Sequence, residues 1–234
     1  MVTKRKELTA KLLQDFADIL PPQLTDVAHY PQPAPSVSQV RHHINVLPET
    51  KPVARPYYRL PLAFRSAFKA EIDKHVDAGR LRTSSSPWAA PAFLIQKENG
   101  KFRFLCDYRG LNAVTVKDST PVPSVEDILQ RAARGKVFAK LDLTDAFFQT
   151  LMNEPDIEKT AIATPWGLYE WVVMPQGACN SPATQQRRLN EALRGLLSEC
   201  CEAYVDDIII WADNDTSLET RVRQVLSALQ KAGF

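Results

Sequence analysis

The sequence of 234 residues has only four cysteines and no apolar run as long as a membrane-spanning helix. Its longest apolar stretch, Trp88–Ile95, contains a proline and is far shorter than the ~20 residues that such a helix needs. Cys106, Cys179, Cys200 and Cys201 show no CxxC spacing, so neither a zinc site nor a disulfide framework is predicted. We therefore expect reduced thiols in an intracellular protein without a transmembrane segment.

A secretory signal and a disordered or collagen-like composition are also missing. Met1–Lys6 contains basic residues, but no apolar run follows it, so we expect no secretory signal. Hydrophobic residues make up 44% of the chain, which is typical of a globular protein. The length is sufficient for one or two domains with a buried core.

The net charge of +2 hides an uneven distribution of charge along the chain. Residues 1–136 contain 21 Lys and Arg against 13 Asp and Glu, whereas residues 137–234 contain 8 against 14. A basic first part is typical of a protein with a polyanionic partner, and an acidic second part is suited to holding cations. Charge alone equally allows a mixed, solvated surface.

Periodicity and turn signals divide the first part into several segments. A helical stripe that begins at Leu8 ends at Pro21, so residues 1–40 are predicted to be an N-terminal helix and a proline-rich linker. An extended arm continues to about residue 61, and a helix is predicted over Leu62–Ala78.

A β-hairpin is the clearest signal in this part of the chain. Ala92–Ile95 and Phe102–Cys106 flank a loop that contains Asn99-Gly100, which strongly favours a hairpin. A turn is predicted at residues 83–87, before the hairpin. After it, Ser124 opens a short helix with a capping-box pattern.

The second part follows the order β, insertion, α, β, β, α. This is the order of a ferredoxin-like β-α-β-β-α-β unit without its last strand, with a small insertion at about residues 150–180. The elements are predicted as a strand over Val137–Leu143, a helix over Ser181–Ser198, a hairpin over Ala203–Trp211, and a helix from a capping box at Thr216 to Ala232.

Three acidic residues stand within or at the end of apolar β patterns. Asp206 and Asp207 interrupt the predicted hairpin, and Asp142 lies near the end of the predicted strand. Acids in such a pattern are costly, because like charges repel and burial disfavours ionisation. An exposed tight turn and a helix cap are the structural alternatives. If the strand end and the turn meet, the carboxylates form an oxygen cage that suits Mg²⁺, and paired ions stabilise in-line phosphoryl transfer.

A set of short motifs occurs in a fixed order along the chain. Through this set the sequence resembles the reverse transcriptases of gypsy-like LTR retrotransposons, over roughly residues 41–234. Each motif alone is weak, and the ordered set is specific. The motifs are Ser84–Pro91, Arg103–Asn112, Lys140–Leu143, Gly167–Glu170, Met174–Gly177, Asn180–Thr184 and Tyr204–Asp207.

The resemblance implies an α+β fingers–palm fold, with fingers over residues 41–136 and a truncated palm over residues 137–234. It implies RNA-directed DNA polymerase activity, in which a primer 3′-hydroxyl attacks a dNTP with the help of two Mg²⁺ ions, for which Mn²⁺ can substitute. The implied partners are an RNA or DNA template, a primer and dNTPs, with no membrane. The family's thumb, connection and RNase H regions do not occur in these residues.

The resemblance also implies roles for individual residues. It implies that Asp142, Asp206 and Asp207 are catalytic metal ligands, together with the Leu143 carbonyl. The implied nucleotide-binding residues are Lys97, Arg103, Phe147, Gln176 and Gly177. The implied template-side residues are Asp107 and Arg109. Some of these have structural alternatives. Lys97 would then be a solvated lysine in a turn, and Asp107 and Arg109 would form a surface ion pair with each other. Phe147 would pack in the core, and Phe148 would be the next candidate for the sugar-facing residue.

Other functions remain open from the residues alone. One is a catalytically inactive retrotransposon remnant that acts at most as a nucleic-acid-binding module, which the truncation favours. Another is an interaction fragment, which only the proline-rich arm favours. The intact acidic triplet favours chemistry.

Overall fold

The chain is described by a computed structural model over residues 2–21, 23–35, 37, 39–96, 100, 102–121 and 123–234. The helices are α1 (Val2–Asp15), α2 (Arg65–Asp77), α3 (Arg109–Val114), α4 (Val125–Ala132), α5 (Ser181–Ala192) and α6 (Asp215–Lys231). The strands are β1 (Leu81–Thr83), β2 (Ala90–Gln96), β3 (Phe102–Cys106), β4 (Val137–Asp142), β5 (Ile162–Thr164), β6 (Gly167–Trp171), β7 (Cys201–Tyr204) and β8 (Asp207–Ala212). No helix in these ranges is long and apolar enough to cross a membrane.

The strands form two separate sheets. The first has five strands in the order β1-β6-β5-β2-β3, and only β2 and β5 pair in parallel. Its β2–β3 hairpin is the one predicted from the sequence. The second sheet is antiparallel, with three strands in the order β4-β8-β7. The prediction of an α+β fold is therefore confirmed.

Each sheet lies against its own hydrophobic core. In the first core, Trp171 stacks on Phe148 with 5.0 Å between the ring centroids. The second core lies between the three-stranded sheet and α5 and α6, and it includes Ile208, Ile210 and Val225. Strands β5 and β6 belong to the first sheet although they follow β4 in the chain. The chain therefore leaves the second core after β4 and returns to it with α5.

Strand β4 has one face on the core and one face open. Its residues alternate between half-buried and exposed, which is the period-two pattern of a strand at a core boundary. Leu141 faces the second core, whereas Lys140 and Asp142 are exposed. The open face therefore carries the charged side chains toward the site described below.

Several element boundaries differ from the sequence predictions. Helix α5 ends at Ala192 rather than Ser198, because Gly195 (φ 84°) and Ser198 (φ 66°) adopt left-handed backbone conformations that a helix cannot contain. Helix α6 begins at Asp215, and its N-cap is Asn214, whose side chain accepts a hydrogen bond from the Ser217 amide. The predicted capping box at Thr216 therefore does not start the helix.

The N-terminal part also differs from the predictions. Helix α1 ends at Asp15 rather than continuing toward Pro21. Residues 23–35, called the N-terminal arm below, pack against the first core and reach the end of α6. The Val27 amide donates to the Ala78 carbonyl at 3.0 Å, and the Ala34 amide donates to the Lys231 carbonyl at 2.8 Å. The arm therefore joins the end of α2 to the end of α6.

Candidate active site

The three acidic residues of interest meet at one end of the three-stranded sheet. Strand β4 ends at Asp142 and β8 begins at Asp207, and these two residues are direct cross-strand partners. Asp206 lies in the two-residue turn between β7 and β8. Its carbonyl accepts a hydrogen bond from the Leu143 amide at 2.8 Å. The strand register therefore places the three residues side by side.

A buried glutamine fixes the turn that presents Asp206. Val205 has φ 56°, a left-handed conformation that is unusual for a β-branched residue. Its amide donates to Oε1 of Gln186 at 3.0 Å, and Nε2 of Gln186 donates to the Ala203 carbonyl at 2.9 Å. Gln186 is fully buried on α5. Gln186 is not among the residues predicted from the sequence, although an amide inside a predicted core-facing helix is a usable signal.

The three carboxylates crowd negative charge into a small space. Partial desolvation, followed by the charges of Asp207 and Asp206, raises the pKa of Asp142. Nζ of Lys140 lies 2.8 Å from Oδ1 of Asp207 and offsets part of this charge. That oxygen is buried, and it has no hydrogen bond of good geometry within the part of the chain that the structure describes. The Lys140 ammonium therefore offsets only part of the negative charge of the cluster.

The cluster does not form a preformed metal cage. No three His, Cys, Asp or Glu side chains in the described ranges are grouped closely enough to hold an ion together. The donor set nevertheless fits a hard divalent cation, because all the candidate ligands are oxygens and Oδ1 of Asp207 has no well-formed hydrogen bond among the described residues, only the nearby Lys140 ammonium. Leu143 follows Asp142 directly, and its side chain packs at the edge of the second core.

Replacing Asp142 with Asn should raise the melting temperature in the absence of divalent ions. The raised pKa of Asp142 means that its ionised form is disfavoured in the folded state. The carboxylate therefore lowers the free energy of unfolding once the pH exceeds the pKa that Asp142 has in the unfolded chain. We expect the Asp142→Asn protein to melt about 1–2 °C higher at pH 7 with EDTA. Below the unfolded pKa both states are protonated, so the difference should shrink as the pH falls toward 4.

A matched control for this prediction is Glu199→Gln, which neutralises an exposed acid outside the cluster. Calorimetry of both variants at pH 7 and pH 4 checks the prediction. A lower melting temperature for Asp142→Asn than for the parent at pH 7 would show that the carboxylate stabilises the strand end.

Apart from Phe147, the predicted nucleotide-binding residues belong to the β2–β3 hairpin and to the loop after β6. Nη2 of Arg103 on β3 lies 3.4 Å from Oε1 of Gln176. Gly177 has φ 96°, and a Cβ atom there would lie 3.3 Å from the Cys106 carbonyl oxygen, so the position requires glycine. The structure therefore brings Arg103, Gln176 and Gly177 together. Lys97 lies outside the described residues.

Two asparagines connect this loop to the segment around α3. Nδ2 of Asn112 donates to the Gly177 carbonyl at 2.9 Å, and Oδ1 accepts from the Cys179 amide at 2.9 Å. Oδ1 of Asn180 accepts from the Asp118 amide at 3.0 Å. Neither asparagine is among the site residues predicted from the sequence, because a bridge between segments 65 residues apart has no local signature.

The two adjacent phenylalanines lie in different surroundings. Phe148 is buried, stacks on Trp171, and meets the edge of the His75 ring at 5.2 Å between centroids. Phe147 is half-buried at the margin of the same core. Both belong to the 3₁₀ turn Ala146–Gln149, which directs Phe148 into the core and leaves Phe147 nearer the surface.

Asp107 and Arg109 form an ion pair with each other, as the structural alternative to a template-side role predicts. Nε of Arg109 lies 2.8 Å from Oδ1 of Asp107 and Nη2 lies 2.6 Å from Oδ2, and the Tyr58 hydroxyl also donates to this carboxylate. The guanidinium, assisted by Tyr58, holds the pKa of Asp107 well below its usual range. Asp107 is buried rather than on the surface, whereas the Arg109 side chain is 78% exposed. Their template-side role stays a prediction.

The fold has a close counterpart among solved structures. A foamy viral protease-reverse transcriptase in complex with an RNA/DNA hybrid superposes with a TM-score of 0.82 at 20% identity, covering 98% of this chain and 30% of that one. At this identity the likeness concerns the fold alone. The two sheets and their helices therefore make up the fingers–palm fold of a reverse transcriptase.

Sequence comparison assigns the family. Residues 95–234 match the profile described as "Reverse transcriptase (RNA-dependent DNA polymerase)". In Drosophila melanogaster, the retrovirus-related Pol polyprotein from transposon opus is 35% identical over 78% of this chain, and that from transposon gypsy is 30% identical over 80%. The chain belongs to the reverse transcriptase family, with relatives of the gypsy type as expected. It spans 19% of the length of each of these two polyproteins.

Proposed function

We propose that this chain is the fingers–palm part of an RNA-directed DNA polymerase. In the proposed reaction, a primer 3′-hydroxyl attacks the α-phosphate of a dNTP that pairs with an RNA or DNA template, and pyrophosphate leaves. The observation that carries the proposal is the meeting of Asp142, Asp206 and Asp207 at one strand end of a reverse transcriptase fold. The foamy viral protein was solved in complex with an RNA/DNA hybrid, which supports nucleic acid as the partner.

The division into fingers and palm is part of this proposal. Residues 41–136 would be the fingers and residues 137–234 the palm, preceded by the helix and linker of residues 1–40. The two separate cores support this division. Within the palm range, residues 150–180 would be a fingers-side insertion, because β5 and β6 pair in the first sheet.

Asp142, Asp206 and Asp207 would hold two Mg²⁺ ions, or Mn²⁺ in their place, with help from the Leu143 carbonyl. When bound, such ions stabilise charge on the attacking and leaving oxygens of a phosphoryl transfer. The chain supplies the placement of the ligands through the β4–β8 register and the buried Gln186. Lys140 offsets the charge of Asp207.

The residues around Arg103 would bind the triphosphate and the base pair. A guanidinium suits phosphate because it donates parallel hydrogen bonds in a planar fork. Gln176 holds this guanidinium from the side, and Gly177 lets the backbone approach closely. Lys97 would add a second positive charge. Arg109, held by the buried Asp107, would place its exposed guanidinium against the template backbone.

Single-nucleotide extension tests the proposed activity. The 234-residue protein is incubated with a labelled DNA primer on an RNA template, Mg²⁺ and one dNTP at a time. We expect addition of the complementary nucleotide only, on RNA and on DNA templates, and no addition in EDTA. Salt-sensitive binding of the primer–template without any extension would instead identify a nucleic-acid-binding module without catalysis.

Replacing Phe147 with Val should relax the choice of sugar. Phe147 lies in the 3₁₀ turn Ala146–Gln149, which follows Asp142 in the chain, and we propose that its ring excludes a 2′-hydroxyl. Loss of such a contact should raise ribonucleotide incorporation relative to deoxyribonucleotide by about tenfold or more. Incorporation of rCTP and dCTP opposite a template G measures the ratio.

Phe148→Val is the matched control, because Phe148 lies in the core. It should lower stability and leave the ratio near that of the parent. A ratio that changes only in Phe148→Val would transfer the sugar-facing role from Phe147 to its neighbour.

A further inference from the structure

Arg188 is a buried arginine on α5 that the proposed reaction does not use. The residue is 8% exposed, and it takes part in none of the ion pairs found among the described residues. Burial lowers its pKa to about 10, so the side chain stays charged at neutral pH. A buried cation without a carboxylate is costly unless other acceptors surround it. Its contacts therefore indicate what the charge is used for.

The guanidinium of Arg188 connects two distant segments. Nη1 donates to the Gln149 carbonyl at 2.9 Å and lies 3.3 Å from Oγ1 of Thr150. Nη2 donates to the Gly233 carbonyl at 2.7 Å, and Cζ lies 3.8 Å from the centroid of the Phe234 ring. A planar fork of donors is suited to holding several oxygens in fixed directions. Arg188 thus ties the 3₁₀ turn to the end of α6.

The same turn is held from a second side by the N-terminal arm. The Tyr30 hydroxyl donates to the Phe148 carbonyl at 2.9 Å, and the Thr150 amide donates to the Phe147 carbonyl at 3.2 Å. Three successive carbonyls, those of Phe147, Phe148 and Gln149, therefore each have a separate donor. The backbone of the turn, from which the Phe147 side chain projects, is therefore held at three consecutive carbonyls.

We propose that Arg188 is a positioning residue for nucleotide selection, and that Tyr30 assists it. By fixing the Gln149 carbonyl and the Thr150 hydroxyl, Arg188 holds the backbone of the turn that carries Phe147. The expected effect of Arg188 on the choice of sugar rests on the proposed polymerase function. The restraint of the turn by Arg188 does not depend on that function. Arg187 has a different role, because it is partly exposed and pairs with Asp118 at 2.7 Å.

Hydrogen exchange tests the restraint without any activity. Arg188→Met keeps the length of the side chain and removes its donors, whereas Tyr30→Phe removes one hydroxyl with little change in shape. Both should accelerate exchange at the Phe148 and Thr150 amides, by about tenfold or more for Arg188→Met. Arg187→Met, the matched control on the same helix, should leave these amides unchanged. Unchanged exchange in Arg188→Met, or equal acceleration in Arg187→Met, would overturn the restraint.

Nucleotide incorporation then tests the consequence. In Arg188→Met, we expect a ratio of ribonucleotide to deoxyribonucleotide incorporation several-fold above that of the parent, a higher KM for dNTP with a smaller change in kcat, and partial restoration in Arg188→Lys. A purely structural role predicts fewer active molecules with an unchanged ratio, and that result would overturn the proposal. If the parent protein extends no primer, the proposed function fails, while the exchange data still decide whether Arg188 holds the turn.

Discussion

The Asp206→Asn protein should lose Mg²⁺-dependent primer extension by about a thousandfold or more, while it still binds the primer–template. Asp206 lies exposed in the turn between β7 and β8, so its carboxylate contributes charge to the cluster and little to the core. Its backbone carbonyl, which bonds to the Leu143 amide, is unaffected by the substitution. The expected effect is therefore on catalysis and not on folding.

Extension and binding should be measured on the same preparations of the parent, Asp206→Asn and Glu199→Gln. Glu199→Gln controls for the loss of one negative charge at an exposed position. It should extend the primer like the parent. Full extension by the Asp206→Asn protein would show that this carboxylate is not needed for catalysis.

The Phe148→Ala protein should be less stable by about 3–5 kcal/mol, since truncating a buried phenylalanine removes transfer energy and leaves a cavity. The ring stacks on Trp171 and contacts His75, and none of the three side chains faces solvent. For a domain of this size the loss corresponds to a melting temperature about 10 °C lower.

Phe147→Ala is the matched control for this stability prediction, because the half-buried Phe147 lies at the margin of the same core. Its loss of stability should be clearly smaller. Denaturant unfolding of both variants checks the difference. Equal losses would mean that both rings belong to the core, which would also remove the basis for the sugar-selecting role of Phe147.

Local patterns were sufficient to predict much of the palm. The alternation along β4, the apolar run after Asp207 and the periodicity of α6 each belong to one element, so short windows contain the signal. The β2–β3 hairpin was predicted for the same reason. The order of these elements then indicated that Asp142 and the Asp206-Asp207 pair meet, and the β4–β8 register places them together.

Long-range pairing was not predictable in this way. Strands β1, β5 and β6 have three to five residues each, and they are stable only through neighbours from distant parts of the chain. The predicted turn at residues 83–87 therefore begins with the last residue of β1. Gln186 and Arg188 were missed because their partners lie in other segments, and a helical polar residue alone does not reveal which backbone groups it bonds.

The proposed carboxylate metal site is tested most directly by anomalous scattering from Mn²⁺. Crystals of the protein with a primer–template and an incoming nucleotide, grown with Mn²⁺, should show difference peaks within ligand distance of the Asp142 and Asp206 carboxylates. Two peaks about 4 Å apart are expected, since paired ions in phosphoryl-transfer sites are separated by this distance. Peaks elsewhere, or bound nucleic acid and nucleotide without manganese at these residues, would contradict the account.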